Sequence, residues 1–103
     1  MAKYLYVYHG GGMGATEEAR AAGMKAWDDW FHQLGAAIVD GGNPGAATKV
    51  VASDGSVADG GPTSPTGYTT ISAANHDEAV RLAKGCPVLA TGGMVEVTAL
   101  LDM

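Results

Sequence analysis

At 103 residues the chain has room for one hydrophobic core and hence for a single domain over residues 1–103, burying about 60–70% of its unfolded surface. Hydrophobic residues make up 47% and charged residues 17%, which excludes the low-hydrophobicity, high-charge regime of disordered chains. Six basic against eleven acidic residues give a net charge of -5 with no Lys/Arg cluster, which argues against a nucleic-acid or anionic-membrane partner.

Residues 3–9, Lys-Tyr-Leu-Tyr-Val-Tyr-His, alternate as a strand does, with Tyr4, Tyr6 and Tyr8 on one face and Leu5 and Val7 on the other. Both faces are apolar, so both are expected to be covered. No signal-peptide pattern precedes this strand, and no apolar run approaches the ~20 residues that span a bilayer, which predicts a cytoplasmic location. After the Gly10-Gly11-Gly12-Met13-Gly14 loop, Thr16 is placed to cap a helix with Glu17 and Glu18 in its first turn. Gly23, Met24, Trp27, Trp30, Phe31 and Leu34 form its apolar stripe, and Gly35 ends it.

Residues 36–40 read as a short buried strand ending in Asp40, followed by the Gly41-Gly42-Asn43-Pro44-Gly45 breaker. Residues 48–52 and 57–58 flank Ser53-Asp54-Gly55-Ser56, which predicts a hairpin turning on a two-residue Asp-Gly unit. Residues 67–72 read as a strand. Asn75-His76-Asp77-Glu78 is a capping-box opening to a second helix that stops at Lys84-Gly85, and residues 95–101 form the last strand.

The order is β-α-β, an inserted hairpin, then β-α-β. It predicts an α+β, ferredoxin-like domain with an antiparallel sheet and both helices on one face. The second sheet face then has no element left to cover it. The Tyr4/Tyr6/Tyr8 face is expected to meet the same face of a second copy, giving a homodimer of the dimeric α+β barrel type.

Several segments together resemble the YCII-related, DGPF-type family. They are the opening Lys3-Tyr4-Leu5-Tyr6-Val7-Tyr8, the helix carrying Trp27 and Trp30, Asp59-Gly60-Gly61-Pro62 followed by Gly67-Tyr68, and Cys86-Pro87 with Val95-Glu96-Val97. The resemblance implies a ferredoxin-like dimer with a cleft between sheet and partner. The family's Asp-Gly-Pro-Phe stands here as Asp59-Gly60-Gly61-Pro62-Thr63, and Met24 stands where enzyme-like members carry a helix histidine. The resemblance also admits a regulatory role, since DGPF-type relatives often accompany transcription sigma factors.

Gly10-Gly11-Gly12-Met13-Gly14-Ala15 fits G-x-G-x-x-A between a strand and a helix, with Asp40 ending the next strand. Locally this is a dinucleotide site through Gly10, Gly12 and Ala15. A doubly wound fold needs more βαβ units than 103 residues with a central hairpin supply, so the pattern reads as a loop and no cofactor is predicted. None of the three histidines has a partner at metal-ligand spacing, and no metal is predicted. The lone Cys86 reads as a buried thiol.

His9 ends the first strand beside the glycine loop, and Asp40 ends the second. They are the candidate base and orienting carboxylate, with Tyr6, Tyr8 and Tyr68 as walls of a small-molecule site at the strand ends. His32 and His76 read as surface residues. The functional expectation is a small-molecule binder or cofactor-independent enzyme using the cleft of the dimeric barrel. The alternative is a non-catalytic interaction protein associated with transcription.

Overall fold

A computed structural model describes residues 1–12, 14–60 and 64–102. The chain is α+β, with strands β1 (Ala2–His9), β2 (Ile38–Asp40), β3 (Lys49–Val51), β4 (Val57–Asp59), β5 (Gly67–Ala73) and β6 (Met94–Ala99), and helices α1 (Glu17–Leu34) and α2 (His76–Ala83). The main sheet has the order β2-β5-β1-β6, every neighbouring pair antiparallel, and β3-β4 form a separate hairpin. With the hairpin set aside, this order is compatible with a ferredoxin-like arrangement.

Local signals set the helix ends. The Thr16 hydroxyl accepts the Ala19 N–H at 3.0 Å and starts α1, while Gly35, at φ 51°, ends it. Asn75 accepts the Glu78 N–H at 2.8 Å and Glu78 reaches back to the Ala74 N–H at 3.3 Å, a capping box displaced by one residue. Two boundaries differ from expectation. Residues 35–37 wind into a 3₁₀ turn before β2, and β6 starts at Met94 rather than at 95, pairing His9 with Met94.

The hairpin turn also differs from the two-residue form. Gly55 N–H donates to Ala52 O at 2.9 Å and Ala52 N–H donates to Ser56 O at 2.8 Å, so three residues, Ser53 to Gly55, make the loop. A two-residue type I′ turn requires positive φ at both central positions. Among the described residues only glycines have it, so Asp54 keeps a negative φ and the positive φ falls on Gly55 alone, at 88°.

The tyrosine face is covered from within the chain, which corrects the expectation that it meets a second copy. Tyr4, Tyr6 and Tyr8 are 5%, 0% and 5% exposed and pack under the two helices. The Tyr6 and Trp30 rings stack at 5.9 Å, and Trp27 sits edge-on to Tyr8 at 4.9 Å. Each deeper phenol finds an internal acceptor: Tyr6 donates to Ala79 O at 2.5 Å and Tyr8 to Thr69 Oγ1 at 2.7 Å. A polar tip with a partner inside the fold needs no second chain to satisfy it. Among the described residues no helix covers the opposite face, which carries half-buried Leu5 and Val7 and exposed Glu96 and Thr98.

The radius of gyration is 14.9 Å, against about 13 Å for a compact chain of this length. The excess comes from projecting parts. Every residue of β3 and β4 is exposed, and so is nearly all of the first half of α1. No helix among the described residues is long and apolar enough to cross a membrane.

Candidate functional site: an aromatic cleft under the first helix

Between α1 and the ends of β1, β2 and β5 lies a cleft of about 570 Å³. Its origin is a mismatch of side-chain sizes. Trp30 and Leu34 seat the C-terminal half of α1 on the sheet at 3% and 5% exposure, and the bulk of Trp30 keeps the helix axis away from the strands. Towards the N-terminus the stripe continues with half-buried Trp27, then Gly23, which has no side chain, so the gap stays open. Met24 extends the stripe but is 64% exposed at the cleft rim rather than packed on the sheet.

Two glycine-rich loops complete the walls. Gly10 to Gly12 leave β1, and Gly41 to Gly45 leave β2 and run beside the start of β5, where Gly45 N–H donates to Thr66 O at 2.8 Å and Pro44 bridges to Gly67. Gly42, at φ 73°, cannot be replaced without collision, because a β-carbon there would run into the carbonyl oxygen of Tyr68. Tyr8 and Thr69 form the floor. Tyr8 OH donates to Thr69 Oγ1, and that hydroxyl donates to Gly41 O at 3.0 Å, so one buried chain of hydrogen bonds ties β1, β5 and the second loop together.

Aromatic rings line the cleft from above, Trp27 and Phe31 of α1, and from the floor, Tyr8, while Tyr68 borders it at the start of β5 with its side chain on the Val7 face of the sheet. The charged and amide side chains of the cleft, Arg20, Asp28 and Asn43, are exposed toward solvent, and three threonines, Thr66, Thr69 and Thr91, complete the polar lining. Burial raises the Tyr8 phenol well above its ordinary value of 10.0, against the opposing effect of its hydrogen bond to Thr69, so it stays protonated in the floor. Burial likewise pushes the Cys86 thiol up to about 11, which makes it an inert core thiol.

The predicted site residues are not gathered in one place. Tyr8 and Tyr68 line the cleft, whereas Tyr6 lies beneath α2 with its hydroxyl on Ala79 O. His9 turns away: its Nε2 pairs with Glu96 of β6 and its Nδ1 lies 3.3 Å from the Ser64 carbonyl oxygen. Asp40 closes a turn by accepting the Gly42 N–H at 2.9 Å. β5 runs between β1 and β2, so His9 and Asp40 end non-neighbouring strands and do not face one another. His32 is exposed with Nδ1 on Asp28 O at 2.8 Å, and His76, also exposed, donates to Val97 O at 2.9 Å.

The intervening β5 also bears on the glycine pattern. A dinucleotide fingerprint works at the junction of a parallel βαβ unit, and here β1 and β2 are separated by an antiparallel strand. Met13 of that pattern and residues 61–63 of the Asp59-Gly60-Gly61-Pro62-Thr63 segment lie outside the described residues. Among the described residues no group of three or more His, Cys, Asp or Glu side chains is placed to hold a metal ion.

Sequence reasoning missed Arg20, Asp28 and Phe31 as wall residues. The signal was present: Arg20, Met24, Trp27 and Phe31 recur at four, seven and eleven residues, one continuous helical face. Met24, Trp27 and Phe31 belong to the apolar stripe expected from the sequence, and Arg20 extends that stripe by one further turn. A scan against protein-family models matches none, and searches of curated proteins and of solved structures likewise find no match for this chain.

Proposed function

We propose that this chain is a small-molecule-binding protein whose site is the cleft under α1, taking a flat, largely apolar ligand between Trp27, Phe31 and Tyr8. The observation that carries the reading is an open space of about 570 Å³ walled by aromatic rings in a chain of only 103 residues. An interaction protein without a ligand has no use for such a gap, and filling it would add apolar burial at about 25 cal/mol per Å². The lining favours binding ahead of proton transfer, because its buried hydroxyls are already committed to one another.

Gly23 offers a clean test. A β-carbon there meets nothing within 4 Å, so Gly23→Leu adds a helix-forming side chain directed at the cleft without touching the core. The variant is expected to melt no lower than the wild type and to lose the thermal stabilisation that small aromatic compounds give the wild type. Unchanged stabilisation in Gly23→Leu would place the ligand elsewhere.

The same reading includes a homodimer that closes a barrel over the open sheet face. It is supported by half-buried Leu5 and Val7 and 40%-exposed Tyr68 on that face, and by the exposed Val50, Val51 and Val57 of the projecting hairpin. Sedimentation at micromolar concentration is expected to give twice the 10.4 kDa chain mass; a purely monomeric profile rejects the dimer and leaves the cleft untouched.

A further inference from the structure

We infer that the ligand of the cleft is an aromatic anion, its ring held between Trp27 and Phe31 and its acidic group directed to Arg20 and the Gly11-Gly12 backbone. This rests on the cleft being the binding site.

The charged groups of the cleft are arranged asymmetrically. Arg20 lines the end near the first glycine loop, and Asp28 lies eight residues further along α1, about 12 Å away at 1.5 Å rise per residue. Arg20 forms no ion pair among the described residues, and the two lysine ion pairs found among them, Lys25–Asp29 and Lys49–Asp59, lie away from the cleft. Gly11 and Gly12 also line the cleft, and their N–H groups donate no hydrogen bond to any described residue. Arg20 and the Gly11-Gly12 backbone thus border one cleft with donors that have no partner among the described residues, and a guanidinium with backbone amides is the donor set a carboxylate, sulfonate or phosphate takes.

Two features oppose an anion. The net charge is -5, and Glu17 and Glu18 stand one turn from Arg20. Both glutamates are exposed and outside the cleft lining, whereas Arg20, although itself exposed, belongs to that lining and can touch a bound acidic group directly. Asp28 fixes the direction instead: it repels an acidic group from the Phe31 end and leaves the Arg20 end as the one place for it. The apolar body of the ligand then faces Trp27 and Phe31, and no metal or cofactor is required to hold it.

The test compares 1-naphthoate with 1-naphthalenemethanol, two probes of the same ring and nearly the same size that differ in charge. Calorimetry on the wild-type chain is expected to show naphthoate binding at least tenfold tighter. Arg20→Gln is expected to erase that preference while leaving the neutral probe unchanged, and Gly23→Leu to remove both. Raising salt from 0.05 to 0.5 M is expected to weaken naphthoate alone, by about threefold or more. Equal affinity of the two probes in the wild type, with both lost in Gly23→Leu, overturns the anion and leaves the cleft standing. Binding of neither probe, or binding of both unaffected by Gly23→Leu, overturns the anion and the cleft together. Circular dichroism of each variant separates loss of binding from loss of fold.

Discussion

The two helices lie on the same face of the same sheet and meet it in opposite ways. α2 presents alanines: Ala79 and Ala83 are 0% and 6% exposed, and the helix comes close enough for Tyr6 OH to reach the Ala79 carbonyl at 2.5 Å. α1 presents Trp27, Trp30 and Phe31, which hold its backbone off the strands. Small residues at a helix–sheet contact let two backbones approach and leave nothing between them, whereas large rings span a wider gap that stays filled only as far as the rings extend. One half of the sheet face is thereby structural and the other half is left with a cleft.

Trp30 is the strut of the wide side, and its loss is expected to have the largest effect. It is 3% exposed, stacks on Tyr6, and donates from Nε1 to Leu82 O at 3.1 Å, which ties α1 to α2. Trp30→Ala is expected to cost about 3–5 kcal/mol. Trp27→Ala, which removes a ring already half open to the cleft, is expected to cost less than half as much. Equal losses in chemical denaturation would break the distinction between strut and wall. On the narrow side Ala83→Leu forces methylenes between α2 and the sheet, at about 1–3 kcal/mol, although leucine is a good helix former. A neutral outcome there would mean that α2 is free to lift as α1 does.

Most of the fold was legible because its signals are local. The Thr16 and Asn75 caps, the Gly35 stop and the period-2 opening strand each need only a few neighbouring residues, and each fell where expected. The order of elements then constrained the sheet, since a split β-α-β pattern has few antiparallel solutions. What failed was the choice of face. An alternating strand shows two apolar faces, Tyr4/Tyr6/Tyr8 and Leu5/Val7, and nothing in its own period says which one the helices take. Partners distant in sequence settled it, 73 residues away for Tyr6 and 61 for Tyr8. The cleft was legible in part, through two glycine loops with no side chains to fill the space beside them. Its Arg20 end was not, because an arginine at a helix surface looks the same in sequence whether it faces solvent or a cavity.

Tyr6 sharpens the comparison on the close side. Burial, with a smaller contribution from neighbouring Cys86, lifts its phenol from 10.0 to about 12. The folded state thus holds that proton more tightly than the unfolded chain, so the associated stability is complete below pH 10 and is lost as pH rises from 10 through 12. Tyr6→Phe deletes the hydrogen bond to Ala79 O, at about 1 kcal/mol, and removes this part of the alkaline decline. Urea midpoints measured from pH 8 to 12 in both proteins are expected to converge with rising pH. Parallel curves would mean that the phenol is not desolvated and that the α2 side is looser than its alanines imply.

The smallest effect is expected at Asp40, where the strand-end reading and the cleft reading diverge. Its side chain is exposed and accepts the Gly42 N–H at 2.9 Å, a turn contact across two residues. Asparagine offers the same acceptor oxygen in the same place. Asp40→Asn is therefore expected to shift Tm by no more than about 2 °C, a few tenths of a kcal/mol in a domain of this size. The Gly41 carbonyl stays anchored by Thr69 Oγ1, so the loop that walls the cleft keeps its course and aromatic probes are expected to bind the variant as they bind the wild type. Asp40→Ala removes the acceptor and is expected to cost about 0.5–1 kcal/mol, because the freed N–H is exposed and water replaces the lost partner. Should Asp40→Asn instead abolish probe binding while the fold and Tm stay unchanged, the carboxylate itself must meet the ligand. The site would then lie at the mouth of the second glycine loop, outside the aromatic walls.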